Sequence, residues 1–228
     1  MSDARLRSRR RLETLFKYFC TAMTWLSILL LAVLIFHIVK EGVRYLNWDF
    51  LTSFPSRRPE SSGIKSALWG TVWLIVITAS VSVFIGIAAA IYLEEYAPQN
   101  RVSRFIDINI VNLAGVPSIV YGMLGLAVFV RFMALGRSVL AGGLTMSLLT
   151  LPVIIVAARE AIRAVPISIR KASYALGATR WQTVRHHVLP LALPGIIIGV
   201  ILAMARAIGE TAPLIMIGAL SYVAFVPE

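Results

Sequence analysis

Arg206 and Glu210 are the only charged residues between Pro190 and Pro227, in a stretch otherwise dominated by Ile, Leu, Val and Ala. An ionisable side chain within an apolar segment is costly and marks a functional position by default. Four residues apart, the two share a helix face and can reach each other. The residues alone leave two readings open. One is a self-neutralising structural pair near an interface. The other is a transient oxyanion site, in which Arg206 offers a planar donor fork to an oxygen of the anion. Glu210 then holds the arginine and accepts a hydrogen bond from an anion that carries a proton. An oxyanion without such a proton at neutral pH leaves that acceptor unpaired, which would give selectivity. Thr211 adds a hydroxyl, and Gly209 removes bulk beside the path.

Other chemistry is scarce. No G-x-x-x-x-G-K-[ST], H-E-x-x-H or G-x-S-x-G run occurs, so any ATP must be hydrolysed by another chain and no enzyme activity is expected. His186-His187 have no third ligand nearby, and neither a metal nor a cofactor is expected. Cys20 stands alone in an apolar run, which excludes a disulfide within the chain.

The elements that must position Arg206 are membrane spans. Of 228 residues, 58% are hydrophobic and 14% charged, far below the quarter or so expected of a soluble domain. The net charge of +11 would indicate nucleic acid in a soluble protein. Here the basic residues fall between apolar runs, so they read as topology signals and lipid-headgroup contacts. The pattern predicts spans at Phe19–Val39, Ser66–Tyr92, Phe105–Val130, Ser138–Ala158 and Leu191–Thr211. Residues 1–18 are basic and expected in the cytoplasm. The first span reads as uncleaved, because no small-x-small site follows it. Lys40–Lys65 is a polar extracytoplasmic loop. Gly86, Ala88, Ala89 and Ala90 give span two a small-residue face for close helix approach. Pro117 interrupts span three, and its freed carbonyl needs a partner that Ser118 or Tyr121 can supply. A structural kink and a polar patch beside a pathway both fit. Pro213–Val226 is short for a span and suits a re-entrant or interfacial segment.

The inner loop, 159–190, carries six basic residues (159, 163, 170, 171, 180 and 185) and one acid, Glu160. Four spans separate it from the basic N-terminus, so both fall on the cytoplasmic side. Its grammar is two short helices. Ser168 is a candidate cap for the first, Gly177-Ala178 break it, and Thr179 with Gln182 form a capping-box pattern that starts the second. That is a helix-turn-helix finger. Ala172 and Gly177 let a partner surface approach, while Tyr174, Leu176 and Trp181 can fill its cleft.

Ala172, Gly177, Leu189 and Pro190 resemble the coupling loop of ABC importer permeases, which docks on the cytoplasmic ATPase. Lys171, Ser173 and His187 depart from that loop's Glu, second Ala and Ile. The run Arg206-Ala-Ile-Gly209-Glu210-Thr211-Ala-Pro213 resembles the signature of phosphate-importer permeases, most closely the PstA type. Pro117-Ser118-Ile-Val-Tyr121-Gly122 is similar to the same group.

The resemblance, from about Gly63 onward, implies an all-α integral membrane protein of the type I ABC importer permease fold. Residues 1–62 would be a cytoplasmic N-terminus, a peripheral span and an outer loop, and 63–228 the transmembrane core. It implies half of a phosphate translocation pathway in a bacterial or archaeal cytoplasmic membrane, with Arg206, Glu210, Thr211, Ser118 and Tyr121 along it. Lys171, Ala172, Ser173, Tyr174, Leu176, Gly177, Trp181, Leu189 and Pro190 would form the ATPase coupling loop. The implied partners are a homologous PstC-like permease, a PstB-like ATPase dimer and a PstS-like extracytoplasmic phosphate-binding protein. Permeases of this kind usually end with a sixth span, so the expectation is five transmembrane helices with the sixth missing, as in a truncated chain. An importer permease for another oxyanion and the PstC-type subunit remain alternatives. An ATP-independent channel or carrier is a more distant one, since it has no need of a docking finger.

Overall fold

The computed structural model describes residues 3–58 and 62–218, and all regular structure among them is helical. The chain divides into two units, Met1–Ile64 and Lys65–Glu228.

In the first unit, α1 (Asp3–Gly42) runs 40 residues, well beyond the apolar stretch alone. Every described side chain from Leu12 to Glu41 is exposed. Thr21, Thr24 and Ser27 turn their hydroxyls back onto carbonyls four residues earlier, at 2.8–2.9 Å. That is how a lone apolar helix hides polar groups from lipid. The short α2 (Trp48–Thr52) is capped by Asn47, whose side chain accepts from the Phe50 amide at 2.8 Å. Gly63 and Ile64 close back onto the carbonyls of Phe54 and Phe50.

The second unit is built around α6 (Val139–Arg163), against which α3 (Lys65–Ile91), α4 (Arg101–Ala114), α5 (Ser118–Gly125), α9 (Leu189–Gly209) and α10 (Ala212–Ile217) all pack. Small residues set the helix spacing. A Cβ on Gly86 would lie 2.7 Å from Ile154, and one on Gly143 would lie 2.6 Å from Ile77. On the other side, Gly195 faces Ala161 and Gly199 faces Ala157 just as closely. Lipid offers no hydrophobic drive for helix association, so close backbone approach and buried hydroxyls must supply it. The Thr78 hydroxyl donates to the Gly143 carbonyl at 3.2 Å, and Ser147 bridges toward Thr78. The buried face of α3 is Thr78, Ser82, Gly86 and Ala90, spaced by four. Ala88 and Ala89 lie off it.

Span three departs from the sequence reading. In place of one kinked helix, α4 ends at Ala114 and α5 begins at Ser118, with their axes bent by 103°. Pro117 cannot donate to the preceding turn. More telling, α4 carries Arg101, Arg104, Asp107, Asn109 and Asn112, too polar a set for hydrocarbon. The Tyr121 hydroxyl donates to the Leu113 carbonyl at 2.8 Å, partnering a group freed at the break. Among the described residues there are thus four helices long and apolar enough to cross a membrane, or five if the bent pair is one span.

After α6 come α7 (Ile167–Ala175) and α8 (Arg180–Thr183). A single π turn, Val184–Val188, joins α8 to α9, so Arg180–Gly209 forms one run of 30 helical residues. Of the segment Pro213–Val226, α10 falls within the described residues and 219–226 lie outside them.

Candidate functional site

The finger is two short helices folded onto each other. Pro166, not Ser168, occupies the N-cap of α7, which fits proline's preset backbone at a helix start. Gly177 sits at φ +82°, the left-handed conformation that ends α7, and its amide donates to the Tyr174 carbonyl at 3.0 Å. Thr179 and Gln182 form the full reciprocal capping box, at 3.3 and 2.8 Å. Between the helices, the buried hydroxyls of Ser173 and Thr183 meet at 2.9 Å. Ser173 is therefore an internal tie of the finger and is not part of its outer surface. The outer surface holds Leu176, which is 90% exposed, with Trp181, Tyr174, Lys171, Ala172 and Gly177. A large aliphatic side chain left that bare on a braced turn has the character of a contact anchor. Leu189 is half-buried and Pro190 exposed at the base.

What braces the finger is a set of ion pairs. Arg170 of α7 grips the Glu95 carboxylate at 2.7 and 3.0 Å, and donates to the carbonyls of Val165 and Ile162. Glu95 lies in the π turn Tyr92–Tyr96 that ends α3, and is buried. Beside it, Glu94 meets Arg163 at 3.0 Å and Arg159 at 3.4 Å. Arg159 also forks onto Asp107 of α4, at 2.7 and 3.2 Å. Arg180 of α8 lies over the Tyr96 ring, 5.3 Å from its centre. One cluster thus ties α3, α4, α6 and the finger together. The sequence reading gave no role to Glu94 and Glu95, and it put Arg159 and Arg163 in the inner loop. Both arginines in fact sit on the last turns of α6, which runs five residues past the expected end of span four. The available signal was charge accounting: two adjacent acids at the end of one apolar run, and an excess of arginine after another.

Arg206 lies at the other end of α9, exposed, with one contact: Nε donates to Glu210 Oε1 at 3.4 Å. Its two terminal amino groups have no partner among the described residues. Glu210 is half-buried at the C-cap of α9, and Thr211 is exposed at the N-cap of α10. Tyr121 is buried with Met146, Leu149 and Ala207, and Leu214 packs on the same cluster. A Cβ on Gly122 would lie 2.8 Å from Pro213 Cα, so α5 and α10 meet backbone to backbone there. Tyr121 thereby lies among residues flanking the Arg206–Glu210 segment, while its hydroxyl is committed to the α4–α5 break. Ser118 is half-buried at the start of α5.

Residues 82–226 match the family described as the binding-protein-dependent transport system inner membrane component. The chain is 37% identical over 185 residues to the probable ABC transporter permease protein YqgI of Bacillus subtilis, covering 81% of this chain and 63% of that protein. It is 39% identical over 157 residues to the phosphate transport system permease protein PstA 1 of Mycobacterium tuberculosis, covering 69% and 51%. Against PstA of Mycobacterium leprae the identity is 40% over 160 residues, covering 69% and 51%. The chain thus spans between half and two thirds of the length of these curated relatives. Among solved structures, a chain of the inward-facing MetNI methionine ABC transporter aligns with a TM-score of 0.57 at 20% identity, covering 62% of this chain and 68% of that one. This likeness is one of fold.

Proposed function

The chain belongs to the family of inner membrane components of binding-protein-dependent transport systems, and from that premise we propose that it is the permease subunit of an ATP-driven importer of inorganic phosphate. It forms half of the translocation pathway and hydrolyses no ATP itself. The observation that carries the coupling role is the finger: two helices tied by Ser173–Thr183, braced by Arg170–Glu95, with Leu176, Trp181 and Tyr174 left bare at the outside. A transmitter of force needs a stiff body and an adhesive tip, and this element has both. The phosphate assignment is supported by the permeases named for phosphate transport among its relatives and by the spare donor fork of Arg206.

The finger docks on a PstB-like ATPase dimer in the cytoplasm, which places the N-terminus on the same side. A PstC-like permease supplies the other half of the pathway, and a PstS-like binding protein delivers phosphate from outside. Arg206 takes the anion with its terminal amino groups while Glu210 holds Nε. Thr211, Ser118 and Tyr121 line the neighbouring path.

Phosphate uptake tests this reading in cells lacking their own high-affinity importer, supplied with the partner subunits and the full-length protein. Wild-type uptake that disappears in Arg206→Ala, with the complex still assembled, is the expected result. No phosphate uptake despite assembly would overturn the phosphate assignment. Uptake untouched by Arg206→Ala would remove Arg206 from the pathway.

A further inference from the structure

Behind α4 lies a cavity of about 600 Å³, lined by Asn100, Arg101, Arg104, Asp107, Arg159 and Arg163 among others. Four guanidinium groups face two carboxylates there, those of Glu94 and Asp107. Arg159 and Arg163 are already engaged by these acids. Glu160 also meets Arg163 at 3.2 Å, so the four arginines face three acids and the local charge stays positive, with Arg101 and Arg104 having no carboxylate partner among the described residues. The finger does not use them, and the Arg206 segment lies at the opposite end of the unit.

The helix that carries them is two-faced. Val102, Phe105, Ile106 and Leu113 recur at helical spacing and are all exposed, while Ser103, Asp107, Ile110 and Ala114 turn toward the unit. The next helical stretch leaves at 103° and runs from Ser118 to Phe132, about 22 Å at 1.5 Å per residue. A hydrocarbon core is about 30 Å thick. Ser118–Phe132 is therefore shorter than the core and suits one arm of a broken or re-entrant span. With that arm along the membrane normal, α4 lies nearly in the membrane plane, close to the headgroup boundary on the finger's side. Basic residues beside an apolar stripe at that depth are the signature of an interfacial helix.

We propose that α4 rests in the cytoplasmic leaflet and that Arg101 and Arg104 hold the phosphate of an anionic phospholipid, its headgroup entering the cavity and its acyl chains lying along Val102, Phe105 and Ile106. Two features favour lipid over a protein partner. The apolar side chains are continuous with a membrane-crossing element. The unpaired charge is positive, complementary to the anionic inner leaflet. The inference does not depend on which anion the protein transports.

The test uses the intact transporter complex in vesicles of mixed phosphatidylglycerol and phosphatidylcholine. Each lipid in turn carries a photoreactive acyl chain, and labelling of the α4 peptide is read by mass spectrometry. One basic residue at a membrane surface is worth roughly fivefold in anionic-lipid preference, so with two such residues wild type should favour phosphatidylglycerol by about 25-fold. The double variant Arg101→Gln/Arg104→Gln should lose that preference, and Arg131→Gln, beyond the far end of α5, should keep it. Equal labelling by the two lipids in wild type overturns the proposal, and this arm holds even where the double variant fails to assemble. Absence of labelling by either lipid, with a photo-crosslinker at Phe105 joining a partner subunit, assigns the face to protein and also overturns it. Loss of the preference on adding inorganic phosphate would mean that the cavity draws its phosphate from solution, which overturns the lipid as source.

Discussion

Two charged regions sit at opposite ends of the same helical unit, and they are built in opposite ways. At the finger end, Arg170 makes four hydrogen bonds and Glu95 is all but buried. At the other end, Arg206 makes one contact of 3.4 Å and is half exposed. A guanidinium with four of its five N–H donors engaged holds structure together and has little left for a ligand. One held only by Nε is oriented, yet keeps its two-pronged face open. The contrast separates an arginine bound into the structure from one with donors to spare, although both are arginine–glutamate pairs.

The comparison can be broken most forcefully at Glu95. Glu95→Ala strands Arg170 in a buried site, a change that costs about 3 kcal/mol where one partner of a buried pair is removed. Thermal melting of the purified complex should fall clearly, and exchanging the two charges (Glu95→Arg with Arg170→Glu) should recover part of it. If Glu95→Ala melts like wild type, the brace is ornamental and the contrast fails.

Arg206→Ala should do the reverse. The long, half-exposed pair contributes less than about 0.5 kcal/mol, so the melting curve should hardly move. Phosphate uptake should drop by a factor of about ten or more, read as lost transition-state or binding energy. Arg206→Lys should be intermediate, because a lysine keeps the charge and loses the fork.

A smaller effect is expected at Gly177. A Cβ there meets nothing within 4 Å, so only the left-handed backbone resists substitution. Gly177→Val should cost about 1–2 kcal/mol and uncouple ATP hydrolysis from uptake, whereas Gly177→Asn, which tolerates that conformation, should be nearly silent. Matched failure of both variants would make bulk at the docking surface, and not backbone strain, the cause.

The least effect belongs to Arg163. It is more than half exposed and shares Glu94 with Arg159. Arg163→Ala should change melting by less than about 1 kcal/mol, and a loss as large as that of Glu95→Ala would show that the cluster acts as one body.

Much of this architecture was legible in the sequence because it rests on local rules. Apolar runs of about twenty residues announce spans, and Thr179 with Gln182 fixes a helix start whatever lies around it. The 103° break was not legible as a break. Hydropathy added the one apolar face of α4 to the wholly apolar α5 and returned a single span. The asparagines and charges of α4, read by face and not by sum, were the signal. Glu95 and Arg170 lie 75 residues apart, and which acid meets which arginine depends on how α3, α6 and α7 pack, which no local pattern records. Ser173 shows the same limit: its position in a docking-loop motif says nothing of whether it faces a partner or Thr183. At Arg206 and Glu210, by contrast, spacing alone put the two side chains within reach, because both belong to one helix end.

The unbroken helical run from Arg180 to Gly209 has a mechanical consequence. Its 30 residues make a beam of about 45 Å with the finger's second helix at one tip and Arg206 near the other. The beam bears on α6 where Gly195 and Gly199 meet the methyl groups of Ala161 and Ala157, with nothing larger between the two helices. Those contacts can act as a fulcrum. From their midpoint the arm to the finger is about 25 Å and the arm to Arg206 about 13 Å. A push at the long arm would therefore reappear at the short arm reversed in direction, smaller in travel and greater in force.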